Sequence, residues 1–243
     1  MKVIELKKTV TASNDRDAAN LRGRMQAAGV LLINLMSSPG SGKTTLIGRI
    51  VQDIGDSQDA SKGTNHSTGG RCRIAVVEAD IDAQVDAERI EALGARSIQA
   101  HTDGMCHMDA GMTREALERM GWEDRDLIFL ENVGNLICPA EYDTGASLNM
   151  MILSVPEGDD KPLKYPLMFQ KSDILVITKT DACAYFTFDM EKCIERVKRL
   201  NPGIEIFPVS AKTGEGMQAL EERLLQLVTN ISRKSFVSVT SIT

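Results

Sequence analysis

The stretch VLLINLMSSPGSGKTT, residues 30–45, decides the fold. Val30–Met36 is uncharged and almost wholly aliphatic, the composition of a strand covered on both faces. Behind it, Ser37-Ser38-Pro39-Gly40-Ser41-Gly42-Lys43-Thr44-Thr45 leads into a helical pattern from Lys43 to Ile54. Strand, glycine-rich turn and helix in that order make a phosphate-binding loop, G-x-x-x-x-G-K-[ST], with Ser37 at the first glycine position. Gly40 and Gly42 let the backbone curl, so that N–H groups from Gly40 through Ser41 to Thr45 face phosphate oxygens. The helix adds its positive N-terminal end. Lys43 is placed to reach the β- and γ-phosphates, and the Thr44 hydroxyl to ligate magnesium. A nucleoside triphosphatase or a kinase is the implied class.

Outward from this loop, short aliphatic runs alternate with helical patterns. Strands are expected at Arg73–Glu78, Ala95–Ala100, Leu127–Glu131, Met150–Val155, Ile174–Thr178 and Ile204–Pro208. Helices are expected over Ala83–Gly94, Asp109–Met120, Asp189–Leu200 and Gly216–Thr229. That alternation predicts an α/β fold of the P-loop type, a mostly parallel sheet of about seven strands with helices on both faces. Residues 1–29 form an N-terminal extension, 30–229 the domain, and 230–243 a tail expected to fray. Within the domain, 55–70 (GDSQDASKGTNHSTGG) is a polar insertion with too little apolar surface to offset its ordering entropy.

Twenty-eight basic and 34 acidic residues leave a net charge of -6, which argues against a sequence-independent grip on nucleic acid or on an anionic membrane. No apolar run is long enough to span a bilayer and no signal peptide is evident. Five cysteines scattered through the chain are not a disulfide framework and suggest free thiols in a reducing compartment. A cytoplasmic protein is expected.

A magnesium site needs carboxylates at the C-terminal ends of strands beside the loop. Asp80, just after RIAVVE, and Glu131, ending DLIFLE, stand there, and either can also position the attacking water. Glu131-Asn132-Val133-Gly134 resembles the D-x-x-G segment of GTPases, in which the glycine N–H senses the γ-phosphate. Thr178-Lys179-Thr180-Asp181 stands in the place of N-K-x-D. Asp181 can accept two parallel hydrogen bonds from guanine, which adenine does not offer, while Lys179 lies along the base. Ser210-Ala211-Lys212 matches the S-A-K loop that addresses guanine O6. Thr178 replaces an asparagine, so a bracing amide is lost and weaker guanine binding is expected.

A second constellation is Cys106-His107 with Cys138, which lies four residues beyond Gly134. Thiolate and imidazole suit zinc, nickel or copper(I), not magnesium or calcium. Three ligands are one short of a closed tetrahedral site, which suggests a labile or shared one. Gly134 to Cys138 spans at most roughly 13–14 Å when extended, so movement of the γ-phosphate turn should reach the metal. Cys193 shares a helical face with Val197 and Leu200 and reads as core; Cys72 and Cys183 have no histidine near in sequence.

LMSSPGSGKTTL, ENVGNLICPAEYDTGA, EGDDKPLKYPLMF and VSAKTGEGM together closely resemble the HypB family, nickel-insertion GTPases of [NiFe]-hydrogenase maturation. The resemblance covers about residues 20–229. It implies GTP/GDP and Mg2+ at the loop, Ni2+ or Zn2+ at a dimer interface through Cys106, His107 and Cys138, and a homodimer favoured by GTP. A HypA-type metallochaperone and the hydrogenase large subunit are the implied partners. The resemblance also singles out Lys164, in Lys161-Pro162-Leu163-Lys164, to reach across the interface. The sequence departs from the family in Thr178, in a longer 55–70 segment, and in lacking the cysteine- and histidine-rich N-terminal motifs of some members. A separate high-affinity metal store is therefore not expected. A urease-type nickel GTPase, a P-loop small-molecule kinase and a passive metal-binding module are the competing readings.

Overall fold

In the computed structural model, residues 6–56, 72–79 and 89–240 are described. Asp80, most of the 55–70 insertion and the first part of the helix expected over 83–94 lie outside them. Seven strands form one parallel sheet: β1 Leu31–Ser37, β2 Ile74–Glu78, β3 Arg96–Gln99, β4 Leu127–Glu131, β5 Leu148–Ser154, β6 Ile174–Thr178 and β7 Glu205–Pro208. Their order is β3-β2-β4-β1-β5-β6-β7. The uncharged run that opens the fold, β1, is the central strand, flanked by β4 and β5 and buried along its whole length. Register pairs Leu35 with Glu131 and Ser37 with Ile152, so the phosphate loop and the carboxylate of β4 emerge side by side at the C-terminal edge. That edge is where ligands bind in open α/β sheets.

Because strand side chains alternate, β1 feeds two cores. Leu31, Ile33 and Leu35 pack with Leu46, Ile47 and Ile50 of α2 (Lys43–Ile54) and with Leu220 and Leu224 of α8 (Met217–Thr240). Leu32 turns to the other face, against Leu21 and Met25 of α1 (Leu6–Ala28) and Leu117 of α3 (Ala110–Met120). Met36 joins a third cluster, where Phe169 of α6 (Pro166–Gln170) and Cys193 and Val197 of α7 (Met190–Leu200) cover β5 and β6. Burial pushes the Cys72 and Cys193 thiols up to about 12, as befits packing residues. Among the described residues are also two short helices, α4 (Cys138–Glu141) and α5 (Lys161–Lys164).

Two features of the chain ends bear on the site. The segment 1–29 contains α1, whose Ala18, Leu21 and Met25 are buried. Its Asn14 accepts from Ala110 N at 3.0 Å and donates to Asp143 O at 2.9 Å, so α1 ties the start of α3 to the loop after α4. At the other end, α8 continues to Thr240, whereas the sequence predicts a helix ending at Thr229 and a frayed tail. No glycine or proline interrupts Met217–Thr240, and Ile231 is buried at 8% exposure. Among the described residues, no helix is long and apolar enough to cross a membrane.

Candidate nucleotide and metal site

The phosphate loop is held open by its glycines and closed by its lysine. Gly40 and Gly42 both take positive φ, 73° and 95°, the left-handed conformation that turns successive N–H groups towards one point. Lys43 is only 5% exposed. Its Nζ donates to Ser37 Oγ at 3.0 Å and sits 4.0 Å from Glu131 Oε1. Ser37, which stands where the motif has glycine, thus takes part in positioning the lysine. Thr44 is half-buried and Thr45 exposed in the first turn of α2, and a cleft of about 390 Å³ joins them to Ala211 and Lys212. The start of α2 and the S-A-K segment therefore line one cleft.

The candidate base-recognition loops carry an unexpected brace. Thr178 Oγ1 donates to Ser41 O at 2.7 Å, buried, so the hydroxyl supplies the bracing that the sequence comparison with N-K-x-D predicts to be lost. Lys179, with φ of 60°, crosses the phosphate loop and donates to Gly40 O at 2.8 Å. Asp181 is exposed, and its Oδ1 accepts from Ser210 Oγ at 2.7 Å, which fixes the carboxylate against the S-A-K turn. Ala211 is half-buried and Lys212 exposed at the rim. Replacing Thr178 with valine keeps the shape but leaves the buried Ser41 carbonyl short of a donor, a loss of about 1–3 kcal/mol. Guanine-nucleotide affinity is expected to fall about 10-fold by titration; unchanged affinity would show that the brace has no part in binding.

Beyond Glu131, the chain brings together a set of candidate metal ligands. Cys106, His107 and Cys138 each offer an atom, and these atoms lie within 4.8 Å of one another. Two 2.3 Å metal–sulfur bonds at a tetrahedral angle separate their sulfurs by roughly 3.8 Å, so a small contraction brings the trio onto one ion. An Asp103-Gly104 turn, with φ of 50° and 85°, presents Cys106. Asp109 caps α3 by accepting from Met112 N at 2.8 Å, which anchors the other end of that loop. His107 is 4% exposed and stacks on Tyr142, with ring centroids 3.8 Å apart and 16° between planes. Its Nδ1 lies 3.8 Å from Cys106 Sγ. Burial lowers the His107 pKa below the usual histidine range, against the opposing pull of Asp109 and Glu141, and so favours the neutral ring that a metal requires. The Cys138 thiol is raised, first by its hydrogen bond with Cys106 and then by burial, so ion binding must displace a proton held by the pair. Cys106 is exposed, which opens the cluster to an outside ligand.

The two halves touch. A Cβ at Gly134 would come within 3.0 Å of Pro39 Cγ and 3.1 Å of Pro39 N, so the turn after β4 packs directly on the phosphate loop. Four residues later the chain reaches Cys138, the first residue of α4. Lys164, at the end of α5, is surface-exposed and pairs with Asp160 at 2.6 Å, a hydrogen bond that raises its pKa.

Comparison with known proteins agrees with this geometry. Residues 31–208 match the CobW/HypB/UreG nucleotide-binding domain. The hydrogenase maturation factor HypB of Azotobacter chroococcum mcd 1 is 41% identical over 216 residues, 89% of this chain and 66% of that protein. The hydrogenase/urease maturation factor HypB of Helicobacter hepaticus is 38% identical over 229 residues, 93% of this chain and 88% of that protein. The chain belongs to the HypB family. Among HypB crystal structures, that of the Helicobacter pylori protein in complex with nickel matches with a TM-score of 0.78 and 36% identity, over 90% of this chain and 96% of that one. The chain spans about two thirds of the length of the Azotobacter relative.

Of the residues that the motifs of this HypB-family chain single out, the structure brings Lys43 near Glu131, Ser210 against Asp181, and Cys106 and His107 near Cys138. The motifs did not show that Ser37 holds Lys43, that Thr178 braces Ser41, or that Tyr142 stacks on His107. The aromatic residue in Pro139-Ala140-Glu141-Tyr142, shortly after the cysteine, was the available signal for the stack.

Proposed function

We propose that this chain binds GTP with magnesium, cleaves it to GDP and phosphate, and uses the change to control a nickel or zinc ion held by Cys106, His107 and Cys138. The observation that carries this reading is the continuity from Pro39 through Gly134 to Cys138, with the three ligand atoms inside 4.8 Å. The hydroxyl of Thr44 and the carboxylate of Glu131 are hard-oxygen donors that would hold magnesium, which would supply positive charge to offset that of the phosphates. Asp80 is the other proposed carboxylate and lies outside the described residues. Lys43 stabilises the oxygens of the transferring group. In cleavage, a water oxygen bonds to the γ-phosphorus, the bond to the β,γ-bridging oxygen breaks, and GDP leaves with that electron pair.

The same trio, exposed at Cys106, is open to completion by a second copy, so GTP is proposed to favour a dimer with paired clusters and with Lys164 reaching across. A HypA-type metallochaperone and the hydrogenase large subunit are the proposed donor and acceptor, with the ion as cargo.

The reading requires nickel affinity to differ between GDP-loaded and GTP-analogue-loaded protein, and nucleotide affinity to change by the same factor when nickel is present. Titration in both orders checks it. Equal nickel affinities in the two states would remove the gate, and no single-turnover cleavage above buffer would reduce the protein to a metal-binding module.

A further inference from the structure

Asn132, between Glu131 and the turn at Gly134, has no place in the nucleotide or metal chemistry described above, yet it is fully buried at 0% exposure. Its N–H donates to Leu35 O at 3.0 Å, which locks the end of β4 to the central strand. Its Oδ1 accepts two hydrogen bonds, from Met108 N at 3.0 Å and from Val133 N at 2.9 Å. Its Nδ2 donates to Asn34 Oδ1 at 3.0 Å, and Asn34 Nδ2 donates in turn to Asn149 Oδ1 at 3.0 Å. Asn34 lies in β1 and is only 1% exposed. Buried amides inside an aliphatic sheet are costly unless satisfied, and here each is satisfied by the next. The relay therefore has one register and gives Asn132 a fixed orientation.

What matters is where this fixed side chain points. Met108 directly follows His107, and Asp109 after it caps α3. The loop bearing Cys106 and His107 is thus hydrogen-bonded to a residue of the very turn that packs on Pro39. Cys138 is tied to that turn in a second way, through the main chain. A hydrogen bond at 3.0 Å weakens steeply when stretched or bent, so a shift of about 1 Å in the turn must either carry Met108 with it or break the bond. In the first case Cys106 and His107 follow the turn, and in the second they are released from it while Cys138 stays tied.

We propose that Asn132 is the positioning residue that transmits the state of the phosphate-facing turn to the Cys106–His107 half of the metal site. This rests on the gating reading above. Both halves of the cluster are then geared to one turn, one through the Gly134–Cys138 backbone and one through the Asn132–Met108 hydrogen bond. Removing the amide uncouples only the second.

The test measures Ni2+ affinity in GDP and GTP-analogue states for the unaltered full chain, Asn132→Ala and Asn132→Asp. Aspartate can still accept from Met108 N and Val133 N, whereas alanine can do neither. Allosteric couplings are typically about 5–150-fold. In Asn132→Ala, which keeps the Gly134–Cys138 link, the ratio of the two affinities is expected to fall about 3-fold or more towards unity without reaching it, and in Asn132→Asp to recover towards the unaltered value. A merely structural role would weaken nickel binding equally in both states and leave the ratio intact, which would overturn the proposal. A ratio of one in the unaltered chain would instead overturn the gating reading itself, and this inference with it. Should the variants not fold, amide hydrogen exchange at Met108 decides in the unaltered chain. Its protection is expected to differ between the two nucleotide states, and identical protection alongside state-dependent nickel affinity would overturn the assignment.

Discussion

Lys43→Ala is expected to lower single-turnover GTP cleavage by roughly 10³-fold, the larger end of the effect of deleting one donor that faces developing negative charge. The lysine is not a flexible surface cation waiting to be recruited. It is 5% exposed, with its Nζ at 3.0 Å from Ser37 Oγ and 4.0 Å from Glu131. A buried cation so held is oriented before the nucleotide arrives, so its work at the γ-phosphate requires little reorganisation. Truncation removes both the charge and its direction, and neither Lys179 nor Arg49 can stand in. Lys179 is committed to Gly40 O at 2.8 Å, and Arg49 is paired with Asp53 on α2. Rapid-quench measurement of labelled phosphate release checks the prediction. The same variant should keep its nickel stoichiometry, because no metal ligand lies in the loop. A variant that cleaves GTP within 10-fold of the unaltered chain would put the chemistry elsewhere.

The parts of this molecule legible in the sequence are those encoded by local pattern. Val30–Met36 reads as a buried strand because an uncharged aliphatic run is satisfied with both faces covered, and β1 is buried throughout. The phosphate loop is legible because glycine, lysine and hydroxyl at fixed spacing leave one arrangement for a strand entering a helix. Cys106, His107 and Cys138 were legible for a different reason: their chemistry is rare, and one lies within reach of the γ-phosphate turn. By contrast, α1 carries mostly polar residues and offers only a narrow apolar stripe through Ala18, Leu21 and Met25, too weak a signal for a 23-residue helix. The substitution of Thr178 was misleading, because motif comparison registers a missing amide and not a hydroxyl that reaches Ser41 O across 137 positions. The Asn132–Asn34–Asn149 relay is likewise hidden. Each asparagine read singly is a polar residue near a strand, and only the register of β1 with β5 and the turn after β4 brings the three into line.

Removing a metal ligand should be as decisive on its own side as removing Lys43 is on the nucleotide side. Cys138→Ala is expected to weaken nickel binding by about 100-fold or more, since loss of a mere supporting partner of a ligand already costs 10–100-fold. Cys138 is half-buried at the start of α4, and its thiol shares a hydrogen bond with Cys106, so exchanging it for a methyl group leaves little void and no stranded charge. His107→Ala is the harsher change: it deletes a buried ring stacked on Tyr142 and opens a cavity beneath it, so its effect mixes lost ligation with lost packing. Comparing the two separates the contributions, since thermal unfolding of the metal-free protein should drop for His107→Ala and stay near the unaltered value for Cys138→Ala. In both variants guanine-nucleotide affinity without metal should remain, because Asp181, Ser210, Thr178 and the phosphate loop lie beyond the turn at Gly134. With nickel present, however, the nucleotide preference proposed for the unaltered chain should disappear, for an ion that is no longer held cannot report or impose the state of the turn. If Cys138→Ala keeps nickel at the original affinity, the thiol next to the γ-phosphate turn is a bystander. The mechanical link between phosphate and metal would then have to run through the Cys106–His107 loop alone.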